Sequence, residues 1–457
     1  MRMMDFNDYL WPGRKGHMVG IGGVSMSSLA EVLAGMGLLI SGSDMNESKN
    51  VRNLRALGIP VTIGHAAENV ADDLDFVVRT AAVHDENPEI VAARAKGIPI
   101  FERTQAWGAI SKDYKNALCI AGTHGKTTTT SMCTHILMAA ESDPTVMIGG
   151  TLPLLNAGHR IGHGNTIIME ACEYYNSFLS FYPTVAVILN VEADHLDFFK
   201  DLDDVKRSFR AFAERTPING TVVANADDEN TMETLRGLHR EILTFGLEQP
   251  ADVTARSIEL IGSNSHFDVF YKGKKFTDVT LHVPGLHNVK NALAATAAAI
   301  RLGISPTAVK YGLAGFNGAG RRFEFKGKYN GADVYDDYAH HPGELKVLLD
   351  TVEQLGYKRT ILVFQPHTYT RTAALFDDFV AQLRRPTVAV LAEIYAAREK
   401  NTIGISSSML AEKVPGSLFC PSFQELENTL RVLAQPGDIV LTVGAGDVYK
   451  VGEKLVR

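Results

Sequence analysis

The sequence has little cysteine, with only four in 457 residues and no CxxC pair. Cys119, Cys133, Cys172 and Cys420 are scattered along the chain. A disulfide framework needs several cysteines at regular, short spacings, so this pattern excludes one. A protein that works in a reducing compartment would have such a composition.

Other features are missing as well. No block rich in lysine or arginine interrupts a chain whose formal net charge is -7, so we do not expect nucleic acid as a partner. No apolar run approaches the ~20 residues that a membrane helix needs, so we expect no membrane insertion. The first residues lack the basic, apolar and small segments of a signal peptide. These absences predict a cytoplasmic protein.

The composition is that of globular domains with full cores. Apolar residues make up 45% of the chain and charged residues 21%. At ~150 residues per domain, the length predicts about three domains. Apolar, strand-like runs alternate with helical stretches, which predicts an α/β fold with mostly parallel sheets. We place the domains at residues 1–115, 116–320 and 321–457.

The strongest motif is AGTHGKTTT, which follows an apolar strand and precedes a helical run. Its glycines allow backbone N–H groups to surround phosphate oxygens, Lys126 can neutralise phosphate charge, and the Thr127 hydroxyl can ligate Mg²⁺. The loop is shorter than GxxxxGK[ST], because only two residues separate Gly122 from Gly125. A glycine turn with an incidental lysine is the alternative, but the strand–loop–helix context favours a phosphate loop.

Acidic residues follow the next strands, in the motifs MEACE and NVEADHLD. Carboxylate oxygens suit Mg²⁺, which usually takes few protein ligands beside phosphates and water. Beside a phosphate loop, this grouping predicts a metal site. Taken alone, a histidine after a strand is more often structural. The second carboxylate of each acidic pair is explained equally well as a solvated residue at a strand end. The residues concerned are Glu170, Glu173, Glu192, Asp194, His195 and Asp197.

The segment GLHNVKNALAA places Asn288 and Asn291 three residues apart, on one face of a predicted helix. A role as helix N-cap would explain Asn288 but not Asn291. The alanine-rich helix that continues from this segment must bury a broad face of small residues.

The motifs GRRFE and DDYAHHP open the last section of the chain. A guanidinium can hold phosphate oxygens with two hydrogen bonds, which makes Arg321 and Arg322 candidates for a phosphate contact. Read alone, the residues of the second motif are ordinary surface residues at a strand end. These are Asp336, Asp337, His340 and His341.

The segment GIGGVSMSS follows the first strand and is similar to the dinucleotide fingerprint GxGxxG, with Ser25 at the third glycine. Asp44 closes the second strand, where such proteins carry an acid that binds ribose. The signal is weak by itself, because many nucleotide-binding folds share it.

As a set, these motifs resemble the Mur ligases, and the likeness covers essentially the whole chain. The set also includes SGSD, FQPHTYTRT and AREK. The resemblance implies an N-terminal Rossmann-like domain for a UDP-sugar, a central ATPase domain with a mostly parallel sheet, and a C-terminal Rossmann-like domain.

The resemblance also implies roles by position. The residues implied in catalysis are Lys126, His195 and Arg322. The residues implied in ATP binding are Gly122, Thr123, His124, Gly125, Lys126, Thr127, Thr128, His287, Asn288, Asn291, Arg322 and Asp337. Those implied for the UDP-sugar are Gly22, Gly23, Ser25, Met26, Ser27, Asp44, Arg103 and Asn156. His367 and Arg371 are implied for the amino acid, and Thr127, Glu170, Glu173 and His195 for Mg²⁺.

The implied reaction is a step of peptidoglycan precursor synthesis. ATP phosphorylates the lactyl carboxylate of UDP-N-acetylmuramate, and the amine of L-alanine displaces the phosphate. The chain departs from the family pattern at Ser25, at Cys172 and at Thr368, where many relatives have glycine, aspartate and arginine. The segment FRAFAERTP also lacks a lysine that several sister ligases carbamylate.

Three alternatives stay open at this point. One is a sister ligase that attaches a recovered tripeptide to the same UDP-sugar. The others are an NAD-dependent oxidoreductase and a nucleotide-binding switch without catalytic activity. The sequence gives no indication of the oligomeric state.

Overall fold

The structure is a computed structural model that describes residues 5–80, 82–196, 198–397 and 399–457. The chain forms two compact units. The predicted α/β class with mostly parallel sheets is confirmed. The predicted division into three domains stays a prediction. The first unit contains Met1–Ala255, Val269–Thr277 and Asn291–Gly315, and the second contains Arg256–Asp268, Asp278–Lys290 and Phe316–Arg457.

A parallel sheet of five strands opens the first unit. Its strands are β1 (Lys15–Val19), β2 (Leu39–Asp44), β3 (Val61–Ile63), β4 (Phe76–Arg79) and β5 (Ile100–Glu102). The connecting helices are α1 (Val24–Gly35), α2 (Lys49–Ala56), α3 (Pro88–Ala95) and α4 (Arg103–Lys112). The order β3-β2-β1-β4-β5 makes β1 and β2 neighbours, so the loops at their carboxyl ends lie side by side.

A second, larger sheet follows in the same unit. Its strands there are β6 (Asn116–Ala121), β7 (Thr145–Leu152), β8 (Ala157–Arg160), β9 (Thr166–Glu170), β10 (Val185–Ile188), β11 (Thr221–Asn225) and β12 (Glu241–Gly246). The helices are α5 (Lys126–Ala139), α6 (Leu202–Glu214) and α7 (Glu229–Thr234). The order is β12-β11-β10-β6-β9-β7-β8, in which β8 alone runs antiparallel to its neighbour. The carboxyl ends of β10, β6 and β9 therefore meet at one edge.

Three strands and two helices come next, and their residues are divided between the units. They are β13 (Val253–Ile261), β14 (Asn264–Tyr271), β15 (Lys274–Leu281), α8 (Leu286–Arg301) and α9 (Pro306–Ala314). The small-residue face predicted for α8 is buried, since Ala292, Ala295 and Ala299 are at most 1% exposed. No helix in the described ranges is both long and apolar enough to cross a membrane.

The second unit contains a sheet of six strands. They are β16 (Glu324–Tyr329), β17 (Ala332–Asp337), β18 (Arg359–Phe364), β19 (Val388–Ala392), β20 (Leu418–Cys420) and β21 (Asp438–Val443). The helices are α10 (Pro342–Gln354), α11 (Tyr369–Ala374), α12 (Phe376–Leu383), α13 (Ser407–Lys413), α14 (Phe423–Leu433) and α15 (Tyr449–Leu455). The order is β16-β17-β21-β18-β19-β20, and only β16 runs antiparallel. Buried aliphatic side chains cover both faces of this sheet.

Helix α5 is buried although it is rich in threonine. The hydroxyls of Thr130, Ser131 and Thr134 each donate to the carbonyl four residues earlier, at 2.8 Å. These bonds satisfy the hydroxyls inside the core, where an unpaired polar group would be costly. The helix can therefore begin at the phosphate loop and continue between packed elements.

The packing of α9 against α5 depends on Gly312. A Cβ at this position would lie 2.4 Å from Cα and 2.7 Å from N of Ile136, and a backbone cannot rotate away as a side chain can. We expect Gly312→Ala to lower the free energy of unfolding by about 1–3 kcal/mol, as overpacked sites do. Urea unfolding measures this. Tyr311→Ala is the control, because Tyr311 is 66% exposed and its replacement should change stability by about 0.5 kcal/mol at most. A midpoint of Gly312→Ala at or above that of the wild type would contradict the packing argument.

Candidate active site

The predicted phosphate loop connects β6 to α5. Gly122 and Gly125 have φ of 147° and 84°, which side chains other than glycine rarely adopt. Added Cβ atoms would lie 2.8 Å from Cβ of Leu189 and 2.8 Å from Oδ1 of Asn291, respectively. Both glycines are therefore required by conformation and by space. Asn291, predicted from the spacing of the asparagines, lies directly beside this loop.

Lys126, the first residue of α5, turns back over the loop. Its Nζ donates to the carbonyls of Gly122 (2.5 Å) and Thr123 (3.1 Å) and to both carboxylate oxygens of Glu173 (2.9 and 3.0 Å). Burial acts to lower the pKa of Lys126, but the charge and hydrogen bonds of Glu173, together with the other acidic groups nearby, outweigh burial, and the pKa lies above its ordinary value. The lysine is therefore a fixed positive charge at the mouth of the loop.

Asn190, which follows β10, holds the loop from the neighbouring strand. Its Oδ1 accepts from the backbone N–H of His124 at 2.8 Å, and its Nδ2 donates to the His124 carbonyl at 3.2 Å. Its carbonyl accepts from the N–H of Thr123 at 3.1 Å. Asn190 was not selected from the sequence, although it is the first polar residue after an apolar strand, which was the available signal.

The predicted metal ligands lie at the same edge. The Thr127 hydroxyl donates to Oε1 of Glu170 at 3.2 Å, and Oε2 of that carboxylate accepts from the N–H of Gly149 at 2.9 Å. Nε2 of His195 lies 3.9 Å from Oε1 of Glu173. Asp197 lies outside the described residues. Within the described residues, no three or more His, Cys, Asp or Glu side chains form a preformed metal centre. A hydroxyl and two carboxylates beside a phosphate loop nevertheless fit Mg²⁺, which takes few protein ligands.

The His195 imidazole lies against an aromatic ring. The ring of Tyr174 stacks on it with centroids 4.3 Å apart and an interplanar angle of 24°. His195 has φ of 54°, and its backbone N–H donates to Oδ1 of Asp194 at 2.7 Å. The stacking fixes the orientation of the imidazole. Tyr174 was missed because sequence spacing does not reveal that it meets His195.

The residues predicted for a UDP-sugar begin at the carboxyl ends of β1 and β2. Asp44 accepts from the N–H of Gly22 at 2.9 Å, and a Cβ at Gly22 would lie 2.8 Å from the same oxygen. Gly23 and Ser25 are accessible at the start of α1, whereas the side chains of Met26 and Ser27 are 2% and 6% exposed. The turn is therefore rigid, with backbone groups available at its surface.

Arg103 and Asn156 come from other parts of the first unit. Burial lowers the pKa of Arg103, and the charges of Cys172 and Glu102 act in the opposite direction. Asn156 has φ of 50° in the turn between β7 and β8. This hairpin is fastened to α1, because His159 of β8 bonds to Ser28 (3.0 Å) and Glu31 (2.8 Å) of that helix. His159 was not selected from the sequence.

Arg321 and Arg322 have different environments in the second unit. Arg321 pairs with Asp336 at 2.9 Å and donates to the carbonyls of Gly444 (2.6 Å) and Gly446 (3.0 Å). These bonds commit it to holding the sheet edge together. Arg322 lies 3.9 Å from the Glu344 carboxylate, and its side chain is 30% exposed. Arg322 is therefore the better candidate for a phosphate contact.

Asp337 ends β17 and accepts from the N–H groups of Phe323 (2.7 Å) and Ala339 (2.8 Å). Burial raises the pKa of Asp337 to about 6, although the charge of Arg322 acts in the opposite direction. Its oxygens are thus oriented by backbone groups at the carboxyl end of a strand, where α/β folds bind ligands.

His287 and Asn288 lie in the first turn of α8, which begins at Leu286. The N-cap alternative for Asn288 is therefore wrong, since the residue lies inside the helix. Its side-chain amide donates to the Pro284 carbonyl at 2.7 Å. Burial lowers the pKa of His287 to about 4, so the ring is neutral at pH 7.

The residues predicted for the amino acid lie after β18. Nη1 of Arg371 donates to Nδ1 of His367 at 3.2 Å. Burial, with the charges of His340 and Arg371, lowers the pKa of His367 to about 4. A neutral ring accepting a hydrogen bond from the guanidinium directs the arginine and leaves the pair with one positive charge.

The buried histidines predict how stability depends on pH. The pKa values of His135, His287 and His367 are lowered to about 4, so unfolded chains bind protons between about pH 6.5 and 4 that the native protein does not. Stability should be complete above about pH 6.5 and fall as the pH drops to 4. Asp337, whose pKa is raised to about 6, acts in the opposite direction.

We therefore expect a lower urea midpoint at pH 5 than at pH 7.5. His287→Gln removes one of these buried imidazoles, so the variant should lose less free energy of unfolding between pH 7.5 and pH 5 than the wild type. For one proton, this reduction is at most about 1.4 kcal/mol per pH unit. The exposed His163 supplies the control, because His163→Gln should leave the difference unchanged. Equal midpoints at the two pH values in the wild-type protein would contradict the expectation.

Three family models match the chain: "Mur ligase family, catalytic domain" at residues 15–115, "Mur ligase middle domain" at 120–299, and "Mur ligase, glutamate ligase domain" at 321–446. A curated relative from Clostridium novyi, named UDP-N-acetylmuramate–L-alanine ligase, is 45% identical over 458 residues, which cover 99% of this chain and 100% of the relative.

Solved structures are similar over nearly the whole chain. The crystal structure of a UDP-N-acetylmuramate–alanine ligase from Thermotoga maritima is 30% identical, with a TM-score of 0.81, and the match covers 97% of this chain and 98% of that one. A murein peptide ligase from Psychrobacter arcticus has a TM-score of 0.73 at 24% identity, over 97% of this chain and 98% of that one. The second likeness concerns the fold alone.

Proposed function

The chain belongs to the Mur ligase family, and we propose that it joins L-alanine to the carboxylate of UDP-N-acetylmuramate at the expense of ATP. The reaction would be a step of peptidoglycan precursor synthesis in the cytoplasm. The observation that carries the proposal is the loop after β6, where Lys126 and Thr127 face Glu173 and Glu170 across one sheet edge. This grouping supplies what transfer of a phosphoryl group needs, namely a cation, backbone donors and oxygen ligands.

In the first step, a carboxylate oxygen of the UDP-sugar attacks the γ-phosphorus and ADP leaves, which produces an acyl phosphate. The N–H groups of the loop and the ammonium of Lys126 would hold the phosphate oxygens. Lys126 must exchange part of its bonding to Glu173 for the phosphate. We propose Asn291, His287, Asn288, Arg322 and Asp337 as the further nucleotide contacts.

Thr127, Glu170, Glu173 and His195 would hold Mg²⁺. When bound, the ion supplies positive charge that offsets the charge on the transferring phosphoryl group. The chain's own part is orientation: Gly149 fixes Glu170, and Tyr174 fixes the imidazole of His195.

In the second step, the amine of L-alanine attacks the acyl carbon and inorganic phosphate leaves. We propose that Arg371 binds the carboxylate of the amino acid, because a guanidinium pairs with a carboxylate through two hydrogen bonds. His367, with a pKa near 4, has little affinity for a proton at pH 7 and would serve to orient Arg371. The turn at Gly22, Gly23 and Asp44 would receive the UDP-sugar.

A phosphate-release assay with ATP, Mg²⁺ and UDP-N-acetylmuramate tests the function with a panel of amines. We expect L-alanine to be used best, glycine and L-serine poorly, and L-alanyl-γ-D-glutamyl-diaminopimelate hardly at all. Lys126→Ala should abolish turnover, because it removes the charge facing the γ-phosphate. The variant should keep the fold at a lower stability, since the buried Glu173 carboxylate loses its cation. Efficient use of the tripeptide with L-alanine inert would replace the assignment with that of the recycling ligase, and turnover by Lys126→Ala would contradict the role of the loop.

The pairing of Lys126 with Glu173 makes a second prediction. Glu173→Gln removes the anion that holds Lys126, so ADP binding without Mg²⁺ should tighten about tenfold, as for one charge-assisted contact. The tightening that Mg²⁺ normally produces should shrink. Glu170→Gln is the matched control, since Glu170 bonds to Thr127 and not to Lys126: it should weaken the effect of Mg²⁺ without improving Mg²⁺-free binding. Titration calorimetry with ADP measures both, and identical behaviour of the two variants would refute the pairing argument.

A further inference from the structure

Glu399 accepts three hydrogen bonds from the segment that carries the proposed amino-acid site. Its Oε2 accepts from the backbone N–H groups of Tyr369 (2.7 Å) and Thr370 (3.0 Å). Its Oε1 accepts from the hydroxyl of Thr370 at 2.5 Å. Glu399 follows β19, so a carboxylate from one loop fixes the turn that follows the neighbouring strand β18.

Backbone bonds join the same two loops. The N–H of Tyr395 donates to the Pro366 carbonyl at 2.8 Å, and the N–H of Thr368 donates to the Tyr395 carbonyl at 2.9 Å. The ring of Tyr395 stacks on that of His367, with centroids 5.7 Å apart and planes inclined by 20°. The turn is therefore held on its backbone and on its side chains by one neighbouring loop.

The turn needs such support because Thr368 is strained. It has φ of 66° and ψ of 147°, a conformation that β-branched residues rarely adopt, and its side chain makes no cap bond to α11. A strained residue persists only where its surroundings determine its conformation. Glu399 accepts hydrogen bonds from the first two N–H groups of α11, a role that the Thr368 side chain does not fill. His367 and Arg371 lie on either side of the strained turn, so its conformation sets where their side chains point.

We propose that Glu399 is a positioning residue for the incoming amino acid: it fixes the turn from His367 to Arg371 so that the guanidinium is held ready for the amino acid's carboxylate. This inference rests on the proposed function of His367 and Arg371. It predicts that loss of Glu399 weakens binding of the amine and leaves nucleotide binding unchanged.

The test compares Michaelis constants of the full-length protein for its three substrates. Glu399→Ala should raise the KM for L-alanine about tenfold or more, as the loss of charge-assisted hydrogen bonds does, and leave the KM for ATP within about twofold. Glu399→Gln keeps one acceptor oxygen and should fall between Glu399→Ala and the wild type. Arg371→Ala, which removes the proposed contact itself, sets the upper limit. Thr370→Val removes only the hydroxyl donor and should give a smaller, equally selective rise, which keeps the test available if Glu399→Ala does not fold.

Glu425→Ala is the matched control. Glu425 lies in the first turn of α14 in the same unit, where it accepts from the hydroxyl of Ser422 at 3.1 Å. Glu425→Ala should lower the melting temperature and leave every KM unchanged. Equal changes in all three Michaelis constants, or a lower melting temperature with every KM unchanged, would reduce Glu399 to a structural role and overturn the inference. If the wild-type enzyme accepts an amine other than L-alanine, the proposed function fails, and the inference is decided by the KM of that amine.

Discussion

The carboxyl ends of adjacent parallel strands are the constraint on which the candidate site depends. β10, β6 and β9 are neighbours, so Asn190, the phosphate loop and Glu170 emerge side by side although they are far apart in sequence. Asn190 accepts from the N–H groups of Thr123 and His124 and so fixes the backbone of the loop. A site built from fixed dipoles needs little reorganisation when a phosphate binds, which is why such edges suit nucleotide chemistry.

Charge balance shapes the same edge. Glu173 is 2% exposed, and a carboxylate so deeply buried needs a partner. Lys126 is that partner, and two loop carbonyls satisfy its remaining donors. When Lys126 turns to a bound phosphate, the buried Glu173 carboxylate needs another positive charge. In the proposed function a divalent cation would meet that need, and the ion pair would then couple nucleotide binding to metal binding.

Local patterns carried much of the fold and part of the site. Strand–loop–helix alternation predicted the α/β class and the end of β2 at Asp44, whereas α5 begins at Lys126, inside the motif that was expected to precede the helix. The division into domains and the roles of the predicted site residues stay predictions. The residues that were missed act through non-local contacts: Asn190 holds another strand's loop, Tyr174 stacks on His195, and Glu399 reaches the turn after β18. Sequence spacing gives neither side-chain direction nor strand order, and both decide such contacts. The same limit applies to Arg321 and Arg322, which adjacent positions alone do not distinguish.

Strain is placed in the same way in both units. His195 and Thr368 have positive φ at the carboxyl edges of their sheets, which costs each about 1–3 kcal/mol. In each unit, a side chain from a different loop at the same sheet edge holds the strained residue in place. In the first unit the ring of Tyr174 stacks on His195, and in the second the carboxylate of Glu399 accepts hydrogen bonds beside Thr368. Because of this strained backbone, a polar side chain points in a direction that a regular backbone would not give it. Because the fixing group lies on a different loop, the geometry of each site depends on two loops staying in register. The parallel strands beneath them, which are buried on both faces in the second unit, keep that register.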